Sequence, residues 1–452
     1  MIDSNVKKAL SELGMPKQAL DQYLRLYGKF LSGPSLVQDW SAVCTPDSSH
    51  LFPYENLEDP DAGKSTELHK KLVVLKLNGG LGTSMGCQGP KSAIVVKNGK
   101  SFLELIGDQV RHLQSKASVA LSLMNSFYTH DETLKLVESF FSKIPLTCFQ
   151  QNRFPRIDEK SLLPLQLESF GENTWYPPGH GDLYCCIEEQ GLLDGWLDEG
   201  KEVLFVSNAD NLGAAVDEKI LNHIVKNNIP FLMELTPKTT ADLKGGTVYQ
   251  DQGRLKLLEL GNVPPEHVKE FQGMEKFKVF NTNNIWIHLP SLKKRLNEGL
   301  MDLPIIANRK TIQGEKVIQL ETAVGAGLEC FKDSVGLVVS RSRFAPVKTT
   351  SDLLRVQSDI YIEREGNLEL NPERCLEGLP EVSLNGPLED TRDFEKRIPV
   401  IPGMLELKRL EIEGDVIFKG RATLQGVVQL NGTTKPLVIE EGAVLKDCVL
   451  RN

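Results

Sequence analysis

From residue 72 onward, short apolar runs alternate with amphipathic stretches, and this alternation restricts the fold more than any other feature of the chain. LVVLKL (72–77), VALSLM (119–124), EVLFVS (202–207) and PFLMEL (230–235) have strand length, and most are apolar at both parities. Between them, SFLELIGDQVRHLQ (101–114), HDETLKLVESFFSK (130–143) and DEKILNHIVKNN (217–228) carry helical periodicity. Strands that are apolar on both sides need cover on both faces, so a mostly parallel sheet between helix layers is expected. In such sheets ligands bind beyond the carboxyl ends of the strands. LNGGLGTSMGCQGPKS (77–92) and NADN (208–211) fall there. The pairs GGTVYQ (245–250) and RLKLLEL (254–260) are expected as an antiparallel addition to the sheet.

The ends behave differently. Residues 1–70 open with helical pattern and turn irregular. Near the other end, Gly414, Gly420, Gly426 and Gly432 stand six apart, as do Ile412, Phe418, Leu424 and Leu430. After a two-residue slip around Pro436, Val438, Val444 and Leu450 are expected to resume that step. Hexads of this kind predict a parallel β-helix, with a β-meander as the plainer alternative. The organisation expected is 1–70 helical and irregular, 71–350 catalytic α/β, 351–395 a helical linker, and 396–452 the β-helix.

A chain of 452 residues implies two or three domains. The start, MIDSNVKKALSELGM, lacks an apolar leader core, and no run approaches the roughly 18 apolar residues of a membrane span. Eight cysteines without a CxxC spacing read as reduced cytoplasmic thiols. A net charge of −9 argues against nucleic acid as a partner.

The glycine-rich stretch fits neither common phosphate loop. Gly80, Gly82 and Gly86 are spaced one residue too far for the dinucleotide fingerprint, and Pro90 stands where a Walker loop has glycine before its lysine. Gly79, Gly80 and Gly82 can take positive φ and bare N–H donors, with Lys91 as the cation. A glycine turn beside a solvated lysine is the bland reading.

LNGGLGTSMGCQGPKS closely resembles the signature of the eukaryotic-type UTP–glucose-1-phosphate uridylyltransferases. WYPPGHGDLY, NADNLGA, MELTPKTTADLKGGT, KVFNTNNIWI, QLETAVGA and SRSRFAPVKTTSDLL follow in the family's order. The resemblance implies an α/β fold: a mixed, mostly parallel Rossmann-like nucleotidyltransferase sheet with helices on both faces, then a C-terminal left-handed parallel β-helix. It implies transfer of uridylyl from UTP to glucose 1-phosphate, giving UDP-glucose and pyrophosphate, with Mg2+ as cofactor and self-association through the β-helix end.

The resemblance assigns Lys348 and Lys91 as catalytic cations and Asp210 as the metal carboxylate. Leu77, Asn78, Gly79 and Gly80 form the nucleotide turn. Gln151 reads uracil, with Gln150 as the neighbouring register. Gly179 lies along base or ribose, and His180 and Asn208 contact the phosphates and nucleotide-sugar. Gly246, Glu259 and Asn283 are the sugar contacts, with Asn281 as the alternative to Asn283. Trp175 is either pocket wall or core, and Cys87 reads as packing. Two further readings stand beside this one: a broad UDP-sugar pyrophosphorylase, and a silent nucleotide-sugar-binding scaffold.

Overall fold

A computed structural model describes residues 4–452 except 34–36, 62, 88, 116, 142–144, 240–241, 244 and 300. The four apolar runs become four of the eight strands of one sheet: β1 (Leu51–Pro53), β2 (Leu72–Asn78), β3 (Ala120–Asn125), β4 (Leu146–Gln150), β5 (Val203–Asn208), β6 (Phe231–Pro237), β7 (Val279–His288) and β8 (Val335–Val338), the runs being β2, β3, β5 and β6. Their order is β1-β8-β6-β7-β5-β2-β3-β4, and only β7 runs antiparallel to its neighbours.

The two-faced burial follows from period two. In β2, Leu72 and Val74 join one buried cluster with helices Phe102–Gln114 and Glu218–Asn227, while Val73 and Leu75 join another with helices Leu183–Glu189 and Leu289–Asn297. Phe102–Gln114 starts where it does because Ser101 and Glu104 form a reciprocal capping box, which satisfies two otherwise orphaned backbone donors.

Two expectations about the middle of the chain are corrected. The hairpin Thr247–Asp251/Arg254–Leu258 forms its own two-stranded sheet and does not extend the large one. The antiparallel addition is β7, and it lies inside the sheet between β5 and β6. Nine of its ten residues are buried, which a strand achieves only with neighbours on both edges and cover on both faces. β1, from the supposedly irregular N-terminal segment, pairs at the sheet edge; three residues are too few to show a period.

At the C-terminus, strands Glu381–Leu384, Leu407–Phe418, Thr423–Ile439 and Val444–Arg451 pair in that order, all parallel. Leu410 pairs with Val428 and Ile412 with Leu430, each 18 residues on, which is three hexads. Gly414 has φ +77°, and a Cβ there would lie 2.8 Å from the Gly432 carbonyl group, so the tight corner requires glycine. The expected two-residue slip is corrected to three: Val416 pairs with Leu437 and Phe418 with Ile439, 21 residues on. Ile439 is therefore buried, while Val438 and Val444 face outward. Residues 351–395 are not purely helical; they also hold hairpin Tyr361–Arg364/Asn367–Leu370 and the first strand of the C-terminal sheet. Leu410, Ile412 and Phe418 belong to the same continuous cluster as Val74 and Phe205, so this end packs against the central sheet's layer. Among the described residues, no helix is long and apolar enough to cross a membrane.

Candidate functional site

Strands β2 and β5 are parallel neighbours that end together at Asn78 and Asn208, and both loops leave from the same sheet edge. The first loop folds back on itself: Leu81 and Pro90 form an antiparallel bridge, and Lys91 N–H donates to Gly80 O at 3.1 Å. Among its described glycines only Gly86 has positive φ, so Gly79, Gly80 and Gly82 do not use the positive φ open to them. What demands glycine there is space. A Cβ on Gly79 would lie 2.5 Å from Gln151 Nε2, and one on Gly82 would lie 2.8 Å from Cys87 Sγ. Cys87 itself is packed, 3.6 Å from Thr391 Oγ1.

The loops enclose a cavity of about 430 Å3. Leu77, Asn78, Gly79, Gly80 and Lys91 form one wall, Asn208 and Asp210 the next. Gln151, against Gly79, and Gly179 and His180 complete the lining. Lys91 Nζ lies 2.6 Å from Asp210 Oδ2, so loop and carboxylate are locked together although 119 residues apart.

Individual environments refine the expected roles. Asn78 turns its amide away, donating to Asn125 Oδ1 at 2.7 Å and Thr133 Oγ1 at 3.0 Å, and so ties β2 to β3. Gln151 Oε1 is buried with no hydrogen-bond partner, whereas Gln150 is exposed, so Gln151 is the glutamine of the cavity. A buried acceptor beside a cavity is satisfied by ordered water or by a donor from a ligand. Gly179 sits at φ +84°, where a Cβ would lie 2.5 Å from Thr322 O. His180 Nδ1 accepts from the Val324 N–H at 2.9 Å, which places its proton on Nε2. Burial pushes the His180 pKa down to about 4, so the ring is a neutral donor at ordinary pH.

Four expected residues do not line this cavity. Lys348 faces a neighbouring one of about 600 Å3, with Arg341 and Pro346 on its wall. Its backbone nevertheless adjoins the first site, because Val347 N–H donates to Asp210 O at 3.2 Å. Glu259 lies close enough to Lys348 for that ammonium to moderate its pKa, which burial raises to about 7. Gly246 touches Glu259: a Cβ would lie 2.6 Å from Oε1. Asn283 donates to Asn208 Oδ1 at 2.9 Å, while Asn281 Oδ1 accepts the Asn283 N–H at 2.8 Å and holds its φ of +59°. Asn281 therefore shapes the bulge within β7 that aims Asn283. Trp175 is core, 2% exposed.

Sequence reading missed Met124, Tyr128, Arg156 and Lys310 on the cavity wall, and left Gln319 and Glu321 unassigned within QLETAVGA. Lys310, Gln319 and Glu321 come from hairpin Ile306–Ile312/Glu315–Glu321, whose strand pattern carries no chemical signature. Burial raises the Glu321 pKa, Lys310 opposes the rise, and Asn308 donates to Oε1 at 3.2 Å.

Among the described residues, no cluster of three or more His, Cys, Asp or Glu could hold a metal by itself. A lone strand-end carboxylate such as Asp210 fits a hard cation that takes most of its ligands from phosphate and water. It does not fit a zinc site.

The family described as UTP–glucose-1-phosphate uridylyltransferase matches residues 20–425. Proteins of that name from Hordeum vulgare and Solanum tuberosum are each 45% identical to this chain, covering 98% of it and 95% and 94% of their own length. A mutant UDP-glucose pyrophosphorylase from Leishmania major, solved in complex with UDP-glucose, superposes with a TM-score of 0.90 at 32% identity, covering 100% of both chains. A UDP-glucose phosphorylase structure from Trypanosoma brucei gives 0.88 at 34% identity, covering 99% of this chain and 100% of that one. On the family match, the identities and the superposition, the chain belongs to the UTP–glucose-1-phosphate uridylyltransferase family.

Proposed function

We propose that this protein transfers the uridylyl group of UTP to glucose 1-phosphate, releasing pyrophosphate reversibly, with Lys91, Asp210 and Lys348 acting at the phosphates. The observation that carries the residue assignment is the 2.6 Å contact of Lys91 with Asp210, beside the segment that holds Lys348. A phosphate oxygen of glucose 1-phosphate attacks the α-phosphorus, and the bond from that phosphorus to the β,γ-pyrophosphate oxygen breaks. No protein nucleophile is needed, so catalysis consists of holding two polyanions together and neutralising spreading charge.

The chain supplies those parts separately. Gly79 and Gly80 present bare backbone, and Gln151 offers its unpartnered oxygen to the uracil N–H. Gly179 leaves room beside base and ribose, and His180 donates through Nε2 to a phosphate oxygen. Lys91 and Lys348 bring positive charge to the nucleotide phosphates from two directions. Asn208 and Asn283, paired through their amides, face the nucleotide-sugar with Gly246 and Glu259 nearby. Asp210 would hold Mg2+, which when bound with the nucleotide neutralises its phosphate oxygens.

The C-terminal sheet is read as a short left-handed parallel β-helix; the 18-residue parallel stacking supports this. Self-association through that end is part of the proposal, supported by Val444 and Val449 on its outermost strand, 65% and 53% exposed. The divisions 71–350 and 396–452 remain the proposed catalytic and β-helix units, and a cytoplasmic location accords with eight unpaired cysteines.

The test is pyrophosphate release from UTP, Mg2+ and glucose 1-phosphate, run against a panel of other sugar 1-phosphates. Lys348→Ala should lower kcat by about 10²-fold or more while UTP affinity changes little. Equal turnover of both proteins would remove Lys348 from the mechanism, and equal rates across the panel would favour a broad UDP-sugar enzyme.

A further inference from the structure

Asn211 closes the NADN turn, is 1% exposed, and lines neither of the two cavities described above. Its Nδ2 donates to Asn284 Oδ1 at 3.1 Å and to Arg343 O at 3.2 Å. Its Oδ1 accepts from Gly213 N–H at 3.2 Å and Ala345 N–H at 2.9 Å. A carboxamide has two donors and two acceptor positions, so the side chain is saturated. Two of the four partners, Arg343 and Ala345, belong to the segment that delivers Lys348. The same segment is joined to the turn by the Asn211–Pro346 bridge and by Val347 N–H on Asp210 O.

Beneath this junction lies a buried ion pair. Arg343 grips Glu234 through Nε–Oε2 at 2.7 Å and Nη2–Oε1 at 2.6 Å, and donates to Ala215 O at 2.9 Å. Glu234 is 0% exposed and also accepts from Asn284 Nδ2 and Trp286 Nε1. The pair fixes the backbone at Arg343, whose carbonyl oxygen receives both Asn211 and Asn284. A fully satisfied network in a low-dielectric interior is stiff, and a half-satisfied one is costly.

We propose that Asn211 is a positioning residue for the transfer reaction, fixing Lys348 relative to Asp210 over the Glu234–Arg343 floor. It touches no substrate; it sets the spacing of two groups that do. This rests on the reading that Asp210 and Lys348 act at the phosphates.

The experiment is a double-mutant cycle on the full chain, with kcat, KM for UTP and thermal unfolding measured for each protein. Asn211→Ala should lower kcat by about 10²-fold, the scale of an ångström-sized misplacement, and leave KM for UTP within about threefold. In a Lys348→Ala background the same substitution should cost less than about threefold, because the group it positions is gone. Asn211→Asp would set a buried carboxylate against the Asn284 and Arg343 oxygens and should lose at least as much as Ala; Asn211→Ser, small and uncharged, carries the same cycle should Asn211→Ala fail to fold. Equal fold-losses in both backgrounds, from a Lys348→Ala protein that is itself impaired, would overturn the inference and leave Asn211 as scaffold. An unimpaired Lys348→Ala protein would instead overturn the underlying reading.

Discussion

Gln151 offers a perturbation whose effects on stability and on binding have opposite signs. Its Oε1 is buried without a partner in the free protein, and Nε2 lies against Gly79. Leaving a buried polar atom unsatisfied costs about 1–3 kcal/mol, a cost that a donor from the uracil edge would remove on binding. Gln151→Met keeps the length and flexibility of the side chain but removes the amide. The free protein should therefore be as stable as wild type, or more stable by about 1 kcal/mol, since the orphaned oxygen is gone. Binding of UDP-glucose should weaken by about 1–3 kcal/mol, or roughly 5- to 150-fold in Kd. Calorimetric titration with UDP-glucose and urea unfolding of the ligand-free protein measure the two halves. Undiminished affinity, or a ligand-free protein destabilised by more than about 2 kcal/mol, would show that Gln151 is a core amide and not a reader of the base.

Gly179→Ala places a methyl 2.5 Å from the Thr322 carbonyl oxygen at a φ of +84°, so it should cost about 2–4 kcal/mol in unfolding free energy and displace the His180 turn; a variant of wild-type stability would show that the turn relaxes freely. His180 has its pKa lowered from 6.5 to about 4 by burial. Between those values the unfolded chain binds the proton and the folded chain does not, so stability falls as pH drops from 6.5 toward 4. His180→Gln, whose amide oxygen can still accept the Val324 N–H, should flatten that part of the urea-midpoint profile, and an unchanged slope between about pH 7 and 5 would contradict the assignment.

The site was legible in the sequence where a residue's job is done by its own loop. Gly79, Gly80, Lys91, Asn208 and Asp210 line one cavity because their loops leave strand ends that apolar runs had marked, and Gln151, Gly179 and His180 join them from segments that no such run marked. Arg156, between two short strands, and Lys310 and Glu321, on a hairpin, were not legible, since such residues gain a place in the site only from what they are folded against. For Asn78, which lines the cavity, the motif places the backbone, but the direction of its amide depends on Asn125 and Thr133 on other elements.

By itself the sequence determined the layers: residues apolar at both parities demand a doubly covered sheet, and a glycine every six residues pointed to a stacked repeat or a β-meander. Only the tertiary structure decided that β7 enters the middle of the sheet and that the repeat slips by three. It also decided that Asp210 is shared between Lys91 and the Lys348 segment. Local pattern records which surface a residue must hide. Strand order, register and long-range ion pairs depend on which distant surface hides it, and that is settled when the whole chain is packed.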